Sequence, residues 1–172
     1  MEQILEFING GQVEKLSAAV FNQKLEASSS TDYTRNLSLE EEVAVARQFA
    51  TAENPTAWAV FLKHYIQHYP LFNPTIELLI QASENKMVQK VLSGELSRYG
   101  CNEQHAHQIC NLVLKDGAEG YTELLCALAD HGRCHFEDIA ILLQRIDDRS
   151  EKKMNLAARY QSSIEKYWQQ KS

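Results

Sequence analysis

Proline and glycine are scarce in this chain, with three and seven occurrences among 172 residues. Most of them stand where an amphipathic helical pattern stops, as at Pro55, Pro70, Gly100 and Gly132. The chain also lacks the alternating runs of valine, isoleucine and threonine that are typical of strands. This punctuation predicts a series of helices joined by short turns, and therefore an all-α fold.

Long apolar runs are absent as well. The N-terminal residues have no basic segment, and Glu6 and Asn9 interrupt their apolar positions, so they predict neither a signal peptide nor a membrane span. The four cysteines all lie between residues 101 and 134, and without an export signal we expect reduced, mostly buried thiols. These features predict a cytoplasmic protein. The cytosol of a host cell fits equally well if a specialised secretion system delivers the protein.

Catalytic motifs are missing too. The sequence has no glycine-rich phosphate loop, no GxSxG and no HExxH, so it predicts neither an enzyme nor a bound cofactor. The 23 acidic residues against 17 basic ones give a net charge of −6, which opposes attraction to phosphate backbones. We therefore expect no nucleic-acid partner, and instead another protein with a basic surface.

Several helix starts carry recognisable caps. Ser38 followed by Glu41 is a capping box, and the acidic run from Glu40 is stabilised by the helix dipole. Asn54, Asn73 and Asn102 are further predicted caps, two of them directly before a proline. With these caps the pattern predicts helices near 2–8, 12–26, 39–52, 55–69, 74–83, 85–98, 102–115, 121–131, 135–146 and 150–170.

The chain is expected to form one compact domain built from four segments. These are an N-terminal helical pair (1–26), a flexible polar loop (27–37), a helical-repeat body (38–148) and a basic capping helix (149–172). The last segment has six basic residues against two acidic ones, a net +4, so the rest of the chain carries −10. This helix either lies on the acidic body or binds a partner.

Three stretches of the body align as a weak internal repeat, beginning at Tyr65, Glu95 and Ala127, 30 and 32 residues apart. In each, a helix ends on an aromatic or imidazole side chain, a chain breaker follows, and a new amphipathic helix begins. The aligned ends are Tyr69-Pro70, Tyr99-Gly100 and His131-Gly132. A period near 30 residues is the size of a two-helix unit that stacks on its neighbours.

In these stretches the chain resembles helical-hairpin repeat proteins of the HEAT-like and leucine-rich-variant kind, over residues 54–146. The resemblance rests on the helix ends from Tyr69 to Leu71 and from Tyr99 to Cys101, and on aliphatic positions in the second helices: Leu78, Leu79, Ile109, Leu112, Ile139 and Leu142. It implies a short right-handed stack of hairpins, an α-solenoid, whose concave face binds peptides or proteins. An irregular helical bundle explains the same punctuation.

Aromatic side chains are the predicted partner contacts, because tyrosine and tryptophan are enriched in binding hot spots. The predicted residues are Trp58, Tyr65, Tyr69, Tyr99, Tyr160 and Trp168. The first three belong to a stripe at helical spacing, which also suits core packing.

A second hypothesis is a zinc- or thiol-dependent site built on Cys101, His105, His131 and Cys134. In a hairpin stack equivalent turns lie side by side, so these four side chains would supply zinc ligands. Their spacing matches no known zinc motif, and buried cysteines with exposed histidines explain the same residues.

The function predicted from the sequence is therefore a protein-interaction module with an acidic helical surface. Its size and charge suit a bacterial adaptor, a secreted effector or an immunity-type protein, and the sequence does not choose among these roles.

Metal analysis of the purified chain separates the two hypotheses. An interaction module holds no stoichiometric zinc that depends on Cys101 and Cys134. We therefore expect equal zinc contents in the wild type and in a Cys101→Ser, Cys134→Ser double variant. Stoichiometric zinc that disappears in the double variant would contradict the interaction hypothesis.

Overall fold

The structure is a computed structural model that describes residues 2–21, 35–116, 119–130 and Ala158. These residues form helices and no strand, which confirms the all-α prediction. Between residues 2 and 130 the described residues form eight α-helices: α1 (Glu2–Asn9), α2 (Val13–Phe21), α3 (Leu39–Thr51), α4 (Thr56–Ile66), α5 (Asn73–Gln81), α6 (Lys86–Tyr99), α7 (Glu103–Asp116) and α8 (Thr122–Asp130). A 3-10 turn, Glu119–Tyr121, leads into α8.

The predicted helix near 135–146 lies outside the described residues. Of the predicted helix near 150–170 only Ala158 is described, and it is helical. Among the described residues, no helix has the length and apolar character needed to cross a membrane.

The predicted capping box at the start of α3 is confirmed. The Ser38 hydroxyl accepts from the Glu41 N–H at 3.2 Å, and the Glu41 carboxylate accepts from the Ser38 N–H at 2.9 Å. Asn102 also caps as predicted, since its side-chain oxygen accepts from the His105 N–H at 2.7 Å. At the other end of a helix, Gly100 closes α6 with a φ of 82°, a left-handed conformation that glycine adopts without strain.

The prediction that Asn73 caps α5 is wrong. Asn73 is already helical, and the capping position is the preceding residue, Phe72, whose side chain has no hydrogen-bonding atom. Pro74 does lie in the first turn, as predicted. The Phe72 N–H instead donates to the side chain of Glu42 on α3, so tertiary contacts determine where α5 begins.

The chain forms two compact units, residues 1–82 (unit 1) and 83–172 (unit 2). In unit 1, α1 packs on α2 and α3, α2 packs on α4, and α3 packs on both α4 and α5, so consecutive helices pair as hairpins. The fully buried side chains of this unit include Ile8, Leu16, Leu37, Phe49, Phe61, Leu62, Leu79 and Ile80. The segment boundaries predicted near residues 27, 38 and 149 stay predictions.

Unit 2 is built around α6, which packs on α8. The side chains of Leu92, Leu96, Leu124 and Leu128 are fully buried there. Two side chains of α6 bind the turn before α8, because the Lys86 ammonium and the Gln89 amide both donate to the carbonyl of Gly120.

Loss of the α3 cap should weaken unit 1. In a Trp168→Phe background only Trp58, which lies on α4, reports unfolding by tryptophan fluorescence. There we expect Ser38→Ala to lower the free energy of unfolding by about 1 kcal/mol, because an N–H in the first turn loses its acceptor. The matched control is Ser97→Ala at an exposed position of α6, and equal denaturation midpoints for the two variants would contradict the prediction.

Candidate functional site

The structure describes four of the six residues predicted to contact a partner. Trp58 and Tyr65 are buried, with 4% and 0% of their surface exposed. Tyr69 is half-buried, and Tyr99 is 40% exposed with the Arg98 guanidinium 5.9 Å from its ring centre. Tyr160 and Trp168 lie outside the described residues. Partner binding by any of the six stays a prediction, and Trp58 or Tyr65 would need unit 1 to open.

The aromatic stripe of α4 packs within unit 1. The rings of Phe61 and Tyr65 stack with their centres 6.1 Å apart, and the ring of Tyr69 follows 5.3 Å from Tyr65. Phe21, at the end of α2, adds its ring 5.3 Å from Phe61. The spacing of three and four residues therefore marks the buried face of α4, as such a stripe usually does.

The Tyr65 hydroxyl ties the segment before α3 to α4. It accepts from the Leu37 N–H at 3.0 Å and donates to the Asn36 side-chain oxygen at 2.8 Å. Burial raises the pKa of the Tyr65 hydroxyl, so the group stays protonated and keeps its donor. Leu37 is 2% exposed, so the end of the predicted flexible loop is packed.

The Glu42 carboxylate binds the segment before α5 to α3. Its side chain is fully buried, and one carboxylate oxygen accepts from the Phe72 N–H at 2.7 Å. Burial raises the pKa of the Glu42 carboxyl, and the hydrogen bond from the Phe72 N–H opposes that rise. Glu41, the capping residue of α3, is also buried and lies 3.5 Å from the Arg35 guanidinium.

These buried contacts leave two large apolar side chains exposed at one end of α3. Leu39 is 45% exposed, and it precedes Glu42 by about one helical turn. Phe72 is 41% exposed, and its backbone is bound to that same Glu42. We name these two residues, with the exposed Glu40 beside them, the Leu39–Phe72 patch. It is the candidate interaction surface of unit 1.

The sequence pattern did not predict the Leu39–Phe72 patch. The sequence around Leu39 could have indicated an exposed leucine. This residue opens a capped helix, is followed by three glutamates, and has no helix directly before it in the sequence to pack against. Phe72 gave no local signal, since its position depends on a carboxylate 30 residues earlier in the chain.

The structure describes two of the four residues of the zinc or thiol hypothesis. Cys101 is half-buried, with its sulfur 3.4 Å from the Asn102 carbonyl oxygen, and His105 is 2% exposed on α7. His131 and Cys134 lie outside the described residues. Within the described part of the chain, no three side chains among histidine, cysteine, aspartate and glutamate are grouped to hold a metal ion. The four-residue site stays a prediction.

The chain matches no protein-family model, and it has no significant match among curated proteins or solved structures.

Removal of the Tyr65 hydroxyl should destabilise unit 1. Tyr65→Phe leaves the buried Leu37 N–H without its acceptor, so we expect the free energy of unfolding to fall by about 1–3 kcal/mol. Denaturant titration followed by Trp58 fluorescence in the Trp168→Phe background measures the loss. Tyr99→Phe on α6 is the control, and a Tyr65→Phe midpoint within the error of that control would contradict the prediction.

Glu42→Gln tests the buried carboxylate through pH. Because the folded pKa of Glu42 is raised, the folded protein binds more protons than the unfolded chain at pH values above the ordinary pKa of 4.5, and stability falls as pH rises through that interval. Glutamine carries no charge and keeps an oxygen for the Phe72 N–H. We expect the variant to match or exceed the wild-type stability at pH 7, with the difference shrinking toward pH 4.5.

Urea titrations across this pH range provide the measurement. Glu40→Gln, which removes an exposed carboxylate from the same turn of α3, is the matched control and should change stability less. A Glu42→Gln variant that is much less stable than the wild type at pH 7 would show that the charge itself holds the fold together.

Proposed function

We propose that unit 1 is a protein-interaction module that binds a basic, partly apolar segment of another protein at the Leu39–Phe72 patch. The observation that carries the proposal is that the Phe72 backbone is bound to the buried carboxylate of Glu42, while the side chains of Phe72 and Leu39 stay 41% and 45% exposed. An anchor held in its binding conformation avoids most of the ordering cost of association, so more of its contact energy becomes affinity.

The construction of the patch supports this role. Burying a carboxylate is costly, because the charge loses its hydration. At Glu42 that carboxylate holds the backbone of Phe72 while the Phe72 ring remains 41% exposed. Covering an exposed leucine or phenylalanine side chain fully contributes about 1.5–3 kcal/mol, so a partner that covers both gains a useful fraction of that energy.

Charge supports a basic partner. Residues 1–82 contain ten acidic and five basic residues, which gives a net charge of −5. Residues 83–172 contain thirteen acidic and twelve basic residues, which gives a net charge of −1. Glu40 places one of these negative charges in the patch itself. A positively charged segment is therefore attracted to unit 1, and its association should weaken as salt is added.

We also propose that the helices form a short right-handed stack of hairpins of the HEAT-like or leucine-rich-variant kind. The support comes from unit 1, where α3 packs on both α4 and α5. The bond from Phe72 to Glu42 sets the starts of α3 and α5 side by side, as they would be in successive hairpins. A bacterial adaptor, a secreted effector and an immunity-type protein are roles that such a cytoplasmic module fills.

Site-specific photo-crosslinking tests the proposed function. p-Benzoylphenylalanine in place of Phe72 keeps an aromatic ring at the patch, and the same residue in place of Val60, 63% exposed on α4, is the matched control. In lysate of the source cells, illumination should join the Phe72 variant to a defined protein through a segment rich in lysine or arginine. The Val60 variant should give at least fivefold less of that adduct.

The identity and salt response of the adduct decide the outcome. An adduct that forms less as salt rises from low to physiological concentration and disappears in a Leu39→Ser background supports the proposal. Equal labelling from both positions, or a crosslinked segment that is acidic, would contradict it.

A further inference from the structure

We propose that His64 and His68 form a binding site for one zinc-class divalent cation at the C-terminal end of α4. Both side chains are exposed, and they stand four residues apart. His64 lies in the last turn of α4, and His68 lies in the turn that follows the helix. This turn is bound to the helix end, because the His68 and Tyr69 N–H groups both donate to the Tyr65 carbonyl at 3.0 Å.

The ring positions fit a shared ion. The centres of the two imidazoles are 5.3 Å apart, with 53° between their planes. Because Zn–N bonds are about 2.1 Å long and zinc prefers tetrahedral angles, two imidazoles on one zinc ion have ring centres about 5 Å apart. The separation of the two ring centres therefore matches that of two imidazoles that bind one ion through one nitrogen each.

Neighbouring rings hold His64 in place. The ring of Phe21 meets it edge-on, with centres 4.1 Å apart and planes at 79°. The ring centre of the same phenylalanine lies 6.4 Å from that of His68, and the ring centre of Tyr69 lies 6.5 Å from it. This packing reduces the rotamer freedom that each histidine would lose on binding an ion.

The local field favours a cation. His64 lies in the last turn of α4 and His68 lies two residues beyond Ile66, at the end where the helix dipole is negative. The whole of unit 1 carries a net charge of −5. Lys63 is the opposing charge, and it is exposed on the same turn, about 100° around the helix from His64.

The site supplies two protein ligands, since the described part of the chain contains no group of three. Water fills the remaining positions on the ion, as at zinc sites with open coordination. The bound ion is therefore exchangeable and has positions open to a further ligand. Imidazole ligands suit Zn²⁺, Ni²⁺ and Cu²⁺, and Zn²⁺ is the suitable probe because it neither oxidises thiols nor broadens NMR signals.

Zinc titration of the full chain tests the proposal. Zinc chloride is added while NMR follows the imidazole signals of all histidines and calorimetry gives the affinity. The signals of His64 and His68 should shift together, with a single dissociation constant. His64→Asn and His68→Asn should each weaken the binding at this site at least tenfold. His107→Asn, at an exposed histidine four residues from Glu103 on α7, should leave it unchanged.

Any of three results would contradict the site. The first is that neither imidazole signal shifts at zinc concentrations up to millimolar, and the second is that the two signals shift with different dissociation constants. The third is that only one of the two substitutions weakens the binding. The wild-type NMR titration needs no variant, so it decides the question even where His64→Asn disturbs the packing on Phe21.

Discussion

The hydrogen bond from the Phe72 N–H to the buried carboxylate of Glu42 is the contact on which the surface of unit 1 depends. It joins the start of α5 to the first turn of α3, and the Tyr65 hydroxyl does the same for the segment before α3. A buried backbone N–H needs an acceptor, and each of these turns finds one on a neighbouring helix. The backbones of the segments before α3 and α5 are thereby held against neighbouring helices, next to the exposed side chains of Leu39 and Phe72.

The buried and exposed faces of α4 have different roles. On the inner face the rings of Phe61 and Tyr65 stack in the core, and the Tyr65 hydroxyl reaches the loop. On the outer face Val60 and His64 remain exposed, and His68 is exposed in the turn after α4. A disturbance of the inner face would therefore reach the Leu39–Phe72 patch through the loop, and the histidine pair through Phe21. The proposed binding surface and the proposed cation site share one scaffold but use different side chains.

Local chemistry made part of this structure predictable. The capping box of Ser38 and Glu41 involves atoms three residues apart, so its sequence pattern sufficed. Gly100 marked the end of α6 for the same reason, because only glycine takes its left-handed conformation without strain. The aromatic stripe of α4 was recognisable from its spacing, although spacing alone does not separate a buried ring from an exposed one.

The remaining features depend on partners far along the chain. Glu42 belongs to an acidic run that reads as an exposed helix start, and it is buried because Phe72 supplies a donor 30 residues later. Asn73 has the sequence pattern of a helix cap but is not one, because the bond from the Phe72 N–H to Glu42 places the start of α5 one residue earlier. The Leu39–Phe72 patch could not be predicted because no periodicity connects its two residues. It exists only once α3, α4 and α5 have packed.

Amide hydrogen exchange at Phe72 tests this account most directly. If the buried carboxylate of Glu42 accepts that N–H, the amide should exchange as slowly as amides within α3, and far faster in a Glu42→Leu variant that keeps a side chain of similar bulk but has no acceptor. Exchange in the wild type as fast as that of the exposed bend residue Glu53 would contradict it, since the start of α5 would then not be held against α3.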